Sequence, residues 1–579
     1  MNPKNFGLYP RRVCLAYVLL VTALFVAGCR PSPPELAESG QTRDLSGFPD
    51  TMDELADQTI EPPRVSVRAP DGSASPPTAP DGTADPLAET MLTKPTESAQ
   101  PARVAEPNPA ADPEDTAPPD WKDWEKPAVA FVLSGQQYGY IEPCGCTGLE
   151  NQKGGMARRA TLIDQVRQQG WTVVPLDGGN QVRRFGRQAE VKFQTTISGL
   201  QKMGYQAIGF GPGDLRLGVG ELLSVAAHDG DEPPLFVSAN VTLLDPDLMP
   251  TFKRIQEGGK QIFVTTMLDP DNAGIDSGDE ITIAPLAAAL TSIKSEITEA
   301  DDFKILLFCG DEDAATAAVA KHAPDTFDLL LVSGGYGEPT YKPQTIQGSK
   351  TQMIITGNKG MYSGLVGLYQ DGQFQYARVA LTHDFTDSSD IMQLMASYQN
   401  QLQAVGLEGL GLRPVAHPKG TEFVGSKACG ECHTTAYEIW EGTPHYHATE
   451  SLVHPPNERG DVPRHFDPEC LSCHVTGWNP QNYYPYVSGY LDLQESAHLH
   501  GNGCENCHGP GSEHVAAERD KTSRTEAQLA ALRESMRLPL SKAKETCMEC
   551  HDLDNSPDFH VGDAFEDLYW PQIEHYGMD

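Results

Sequence analysis

The stretch GCENCHGPGSEH, residues 503–514, sets two cysteines three apart with a histidine directly behind them. The same C-x-x-C-H pattern recurs as CGECH (429–433), CLSCH (470–474) and CMECH (547–551). Zinc ribbons pair two C-x-x-C units about 15–20 residues apart, and zinc does not require a histidine after every pair. Disulfides do not require one either. C-type haem attachment requires all three residues: two thiols on one edge reach the two vinyl groups, and the histidine lies beneath the ring to ligate iron. Four repeats therefore predict four covalently attached haem c groups. They fall on Cys429, Cys432 and His433; on Cys470, Cys473 and His474; on Cys504, Cys507 and His508; and on Cys547, Cys550 and His551.

The segment around these motifs, 421–579, is rich in Pro, Gly, His and charge and thin in aliphatics, so porphyrin faces must supply much of its core. It reads as a mostly helical and loop-rich tetrahaem domain. Histidines 445, 447, 454, 465, 498, 500, 514, 560 and 575 remain as candidates for the second iron ligand. Methionine is scarce, and Met548 sits inside its own motif. Bis-histidine ligation with comparatively low potentials is expected.

Working outward, residues 386–420 read as a connecting segment whose helix spans 389–407. Residues 125–385 alternate strand and helix patterns. AVAFVLSG (128–135), WTVVPLDGGN, YQAIGFGPGD, PLFVSANVT, KQIFVTTML, FKILLFCG and FDLLLVSGG are apolar runs of strand length, with helical spacing between them. The end is β-rich, and Asp371-Gly372 marks a hairpin turn. This predicts an α/β core with largely parallel strands, sheets flanked by helices, and a site beyond the C-terminal strand ends.

Residues 29–124 read as a Pro-rich linker, as in APDGSASPPTAPDGTADP (69–86), with too few large apolar residues to offset the entropy of ordering. Ahead of it, Arg11 and Arg12 precede the apolar run VCLAYVLLVTALFVAG, which fits an export signal over 1–28. VAGC (26–29) resembles a bacterial lipobox, which implies lipidation at Cys29, attachment to a bacterial membrane and an extracytoplasmic location, periplasm or cell surface. The formal net charge of −37 argues against nucleic acid, which needs a basic footprint. It fits a soluble acidic surface or the steering of a basic partner.

Two longer resemblances follow. YIEPCGC, GGMARRATLI, PLDGGN, MGYQAIGFGPGDLRLG and VSANV resemble the 5'-nucleotidase branch of the metallophosphoesterases, which implies a two-metal site at the strand ends. The residues standing at that family's ligand positions differ. Gln136, Tyr138, Asn180, Pro212, Gly213 and Cys309 replace its ligands, and SGGYG (333–337) replaces its histidine pair. Hard divalent cations need carboxylates and imidazoles, so this is expected to be a scaffold that has lost its metals. Cys144, Cys146 and Cys309 stand at the same face as a disulfide with a thiol, or as a thiolate site.

Second, VGSKACGECH, W-x-x-TPHYHA, DPECLSCHVTGW, CENCHGPGSEH and the closing IEH resemble the cytochrome c-554 family. The resemblance implies distal ligands at His445, His514 and His575, with His447 a rival to His445. It implies that one haem of the four is five-coordinate, and that on His474 is the candidate, unless His454, His465, His498 or His500 closes it. His514 sits past a Gly-Pro-Gly turn and is badly placed for its own haem, so it is expected to cross to a neighbour.

These readings converge on extracytoplasmic electron transfer between redox partner proteins, with the middle domain as scaffold or docking element. The alternatives are a haem oxidoreductase acting on a small nitrogen or sulfur compound, and a ligand-binding sensor joined to haems. With manganese or zinc added, the protein is expected to release no phosphate from nucleotides. Chelator-sensitive turnover in a phosphate-release assay would contradict that.

Overall fold

The computed structural model describes residues 120–143, 152–226, 234–274, 280–335, 338–455 and 461–576. The expected signal segment, Cys29, residues 30–119 of the linker, Cys144 and Cys146 lie outside the described residues.

In chain order the strands of the middle domain are β1 (Val129–Ser134), β2 (Val173–Asp177), β3 (Ala207–Ile208), β4 (Val241–Leu243), β5 (Lys253–Glu257), β6 (Lys260–Leu268), β7 (Ile281–Ile283), β8 (Phe303–Cys309), β9 (Leu329–Ser333), β10 (Gln344–Thr345), β11 (Gln352–Ile355), β12 (Tyr362–Leu368) and β13 (Phe374–Ala380). The helices are α1 (Met156–Gln168), α2 (Arg187–Met203), α3 (Pro212–Leu215), α4 (Val219–Ala226), α5 (Leu286–Glu296), α6 (Glu312–His322) and α7 (Ser389–Gly409).

Two mixed sheets form, ordered β13-β12-β1-β2-β3 and β10-β11-β9-β8-β6-β5. Their centres are parallel: β1 with β2, β2 with β3, β6 with β8, β8 with β9, and β9 with β11. The hairpin β12–β13 adds antiparallel strands through a turn in which Gly372 takes φ +86°.

Alternation along each strand builds three apolar layers. Phe131 and Leu133 of β1 meet Phe303, Ile305 and Leu307 of β8 between the sheets. The rings of Phe131 and Phe303 stack at 5.8 Å. Ala130 and Val132 point the other way, into a layer with Leu162, Phe193 and Tyr398. Leu306, Phe308 and Leu330 pack with Leu290, Ile293 and Val319 on the far side. Burial on both faces is why these strands read as continuous apolar runs rather than alternating ones.

Four expectations shift. YQAIGFGPGD yields only the two residues of β3, because the chain turns at once. A Cβ on Gly211 would lie 2.4 Å from the Asn180 Cβ, and Pro212 starts α3 at a position that suits its missing N–H. PLFVSANVT keeps one bridge, Phe236 to Ile208, before β4 pairs with β7. The connecting helix α7 is no free spacer, since Ile391, Met395, Tyr398 and Leu402 are buried in the layer shared with α1 and α2. Ahead of β1, inside the stretch read as linker, Trp124 stacks on Trp171 at 6.4 Å and Trp121 meets it edge-on.

Beyond α7 the chain forms short helices and loops around a small apolar cluster of Phe423, Leu452, Leu471, Val475, Trp478, Tyr490 and Leu499. No described helix is long and apolar enough to cross a membrane. Replacing Phe131, fully buried between the sheets, by alanine is expected to cost about 3–5 kcal/mol, read as a lowered midpoint in denaturant unfolding.

Candidate haem-binding site

Each motif begins, fills or ends a short helix: Ser426–Gly430, Pro468–His474, Cys504–His508 and Leu540–Cys547. The second is capped by Asp467, whose carboxylate accepts the Glu469 N–H at 2.9 Å, with Pro468 at the first helical position. The third carries Glu505 between its cysteines. This buried carboxylate accepts the N–H groups of Val424 (3.0 Å), Gly425 (2.8 Å) and Gly511 (2.8 Å). Burial raises its pKa while the three donors pull the other way. One side chain thereby ties the lead-in to the first motif to the Gly-Pro-Gly turn ahead of His514.

That tie has a geometric result. The rings of His433 and His514 face each other with centres 6.3 Å apart and planes 23° from parallel. His445 faces His551 at 6.1 Å, and His508 faces His575 at 5.9 Å. Two imidazoles bonded to one metal at about 2 Å place their ring centres about 6 Å apart. Each pair joins a motif histidine to one of the three carried over as distal ligands, and His514 does cross to the first motif.

The donor chemistry also fits. Nδ1 of His508 lies 2.7 Å from the Met536 carbonyl oxygen, Nδ1 of His474 lies 2.9 Å from that of Ala448, and Nδ1 of His575 lies 2.8 Å from that of Ile573. His551 Nδ1 lies 3.1 Å from the Ser556 hydroxyl. A proton held on Nδ1 leaves the Nε2 lone pair for a metal. Burial lowers the pKa of His445, His508 and His514, and takes His551 down to about 4 with the nearby His445 adding to the effect. The rings are thus held neutral, the ligating form. The Cys429 and Cys504 side chains are close neighbours, as are those of Cys473 and Cys550. The first motif is therefore beside the third, and the second beside the fourth. These residues fit covalently held haem.

The other histidines are placed otherwise. His447 is exposed against Tyr446, and His454 is exposed beside Glu450. His500 Nε2 lies 3.1 Å from the Leu493 carbonyl, and His560 Nε2 lies 2.7 Å from that of His551. The His498 carbonyl packs on Gly425. His465 lines a 280 Å³ cavity with Phe466, Gln399 and Asp461.

At the strand ends of the middle domain, Gln136, Tyr138 and Asn180 all take left-handed backbone angles, φ +50°, +53° and +69°. Such angles are costly for residues with a Cβ. Asn180 Oδ1 accepts the Gly213 N–H at 3.1 Å, and the Tyr138 hydroxyl donates to Gln136 at 2.5 Å. Buried Asp177 accepts from Ser134, Gly179 and Gln181, and buried Asp214 accepts the N–H groups of Asn180, Gln181, Val182 and Gly211. Burial pushes the Cys309 thiol up. Among the described residues, no three His, Cys, Asp or Glu side chains group as metal ligands.

Residues 428–509 match the family described as cytochrome c554 and c-prime. The C-terminal segment is similar to the cytochrome c-554 family. It is 33% identical over 97 residues to cytochrome c-554 of Nitrosomonas europaea, covering 15% of this chain and 39% of that protein's length. Covalently bound haem c is the cofactor this cytochrome family implies. Among solved structures, a 5'-nucleotidase precursor from Thermus thermophilus is 16% identical, with 56% of this chain and 66% of that chain covered and a TM-score of 0.41. The sulfate thiohydrolase SoxB of Thermus thermophilus is 14% identical, with 51% and 63% covered and a TM-score of 0.40.

Sequence reasoning passed over Glu505 because it occupies a variable position of the cytochrome motif. The acidic residue between two cysteines was its only signal. Glu505→Ala strands three backbone N–H groups and is expected to destabilise the protein by about 3 kcal/mol or more, measured by chemical unfolding. Glu505→Gln, which keeps an acceptor, is expected to lose much less.

Proposed function

We propose that this chain carries electrons outside the cytoplasm through four covalently attached haem c groups, held to a membrane by a lipid on Cys29. The observation that carries the reading is the set of three facing imidazole pairs, each uniting a C-x-x-C-H histidine with a histidine distant in sequence. In this reading His433 and His514 hold the first iron, His508 and His575 the third, and His551 and His445 the fourth. His474 holds the second from one side.

Haem iron supplies one-electron chemistry, and two imidazole ligands favour low potentials. The protein's own part is positional. Backbone carbonyls at Met536, Ala448 and Ile573 orient imidazoles through Nδ1. Glu505 holds the turn that carries His514 over the first motif. Contacts between Cys429 and Cys504, and between Cys473 and Cys550, set the motifs in two adjacent pairs, an arrangement suited to passing electrons between centres and on to partner proteins.

The middle domain acts as scaffold. Its strand ends present amides, a phenol and backbone where the resembled phosphoesterases hold metals, and its carboxylates Asp177 and Asp214 are committed to internal hydrogen bonds.

A redox-titrated visible and EPR spectrum of the purified protein tests this, with four haems per chain expected. A count below four would overturn the assignment. His445→Ala is expected to convert one haem from low to high spin, whereas His447→Ala is expected to leave the spectrum unchanged.

A further inference from the structure

Strand-end loops and helix α2 of the middle domain meet the second and fourth motifs, and charge is sorted across that contact. Arg184 and Lys192 pair with Glu469 at 3.6 and 2.6 Å, and Glu469 directly precedes Cys470. Arg183 pairs with Asp554, as does Lys359 at 2.8 Å, and Asp554 lies three residues beyond His551. Lys359 also donates to the Asp554 carbonyl at 3.0 Å. Arg184 lies 3.3 Å over the Tyr483 ring, donates to its hydroxyl, and keeps one buried nitrogen without a hydrogen-bond partner. It is also within electrostatic reach of the Cys473 sulfur. Arg464 and Glu142 pair in the opposite sense, with the cation on the haem side.

We propose that the middle domain tunes the haems: Arg183, Arg184, Lys192 and Lys359 raise the midpoint potentials of the second and fourth haems. This rests on the tetrahaem reading above. The ferric state carries one more positive charge than the ferrous state. A cation nearby disfavours it, and an uncompensated carboxylate favours it. Glu469 and Asp554 stand beside the motifs in the haem domain itself. Without the four cations their fields would pull those two potentials down. The former phosphoesterase face thereby gains a role that needs no metal: it supplies the positive half of the haem environment, and so a direction for electron flow between the two motif pairs.

Spectroelectrochemical titration of the full-length, haem-loaded protein tests this. Arg184→Gln and Lys192→Met are each expected to lower the electron affinity of at least one haem roughly tenfold, about 59 mV for a one-electron couple. Glu469→Gln is expected to raise it. The double variant Arg184→Gln/Glu469→Gln is expected to return close to the parent value, which a purely structural effect of the interface would not produce. Should Lys192→Met not assemble, Arg183→Gln, whose side chain is 42% exposed, gives the same reading at the fourth motif. Four haems with unchanged midpoints in these variants would overturn the tuning while leaving electron transfer intact. Fewer than four haems in the parent protein would instead overturn the reading beneath it.

Discussion

Asp467 is the point on which both folded parts turn. Its carboxylate is fully enclosed, and an enclosed carboxylate must be met by donors or it destabilises the fold. The donors come from three directions. The second motif's own helix offers the Glu469 N–H, α2 offers the Gln188 amide at 2.6 Å, and α7 offers the Tyr398 hydroxyl at 3.1 Å. Burial raises the pKa of Asp467, while Lys192 acts against that rise. A helix cap that would ordinarily be a local matter is thus satisfied by the side chains of another domain. Removing the middle domain would leave the second motif without the partners that hold the start of its helix.

A similar inward turn is found at the strand ends. These loops turn their polar groups on each other or on the C-terminal segment. Three residues with a Cβ, Gln136, Tyr138 and Asn180, hold left-handed backbone angles there, and their side chains or neighbouring amides are tied into the local hydrogen-bond network. Arg183 and Arg184 follow the second strand within the same loop system and form ion pairs with Asp554 and Glu469.

The fold was largely legible because parallel strands buried on both faces announce themselves as unbroken apolar runs, as in FKILLFCG. It failed where glycines shortened a strand, as after Ile208, since periodicity does not register a close approach such as that of Gly211 to Asn180. The C-x-x-C-H motifs were legible because their chemistry is local. The facing histidines were less so: spacing alone could not separate His445 from His447, and a facing pair in three dimensions does so at once. The charged contact between domains left no trace in the sequence, because each of its ions looks like an ordinary surface residue until the partner is placed.

The crossing of His514 onto the first motif and of His445 onto the fourth has a consequence for the entropy of the chain. Every facing pair spans a long stretch of chain, and the pair made by His508 closes only when residue 575 is present. Loop closure over such distances is slow compared with forming a local helix. The short motif helices are local in sequence, whereas each facing pair carries the entropy cost of closing a long loop, so these three contacts tie distant parts of the C-terminal segment to one another.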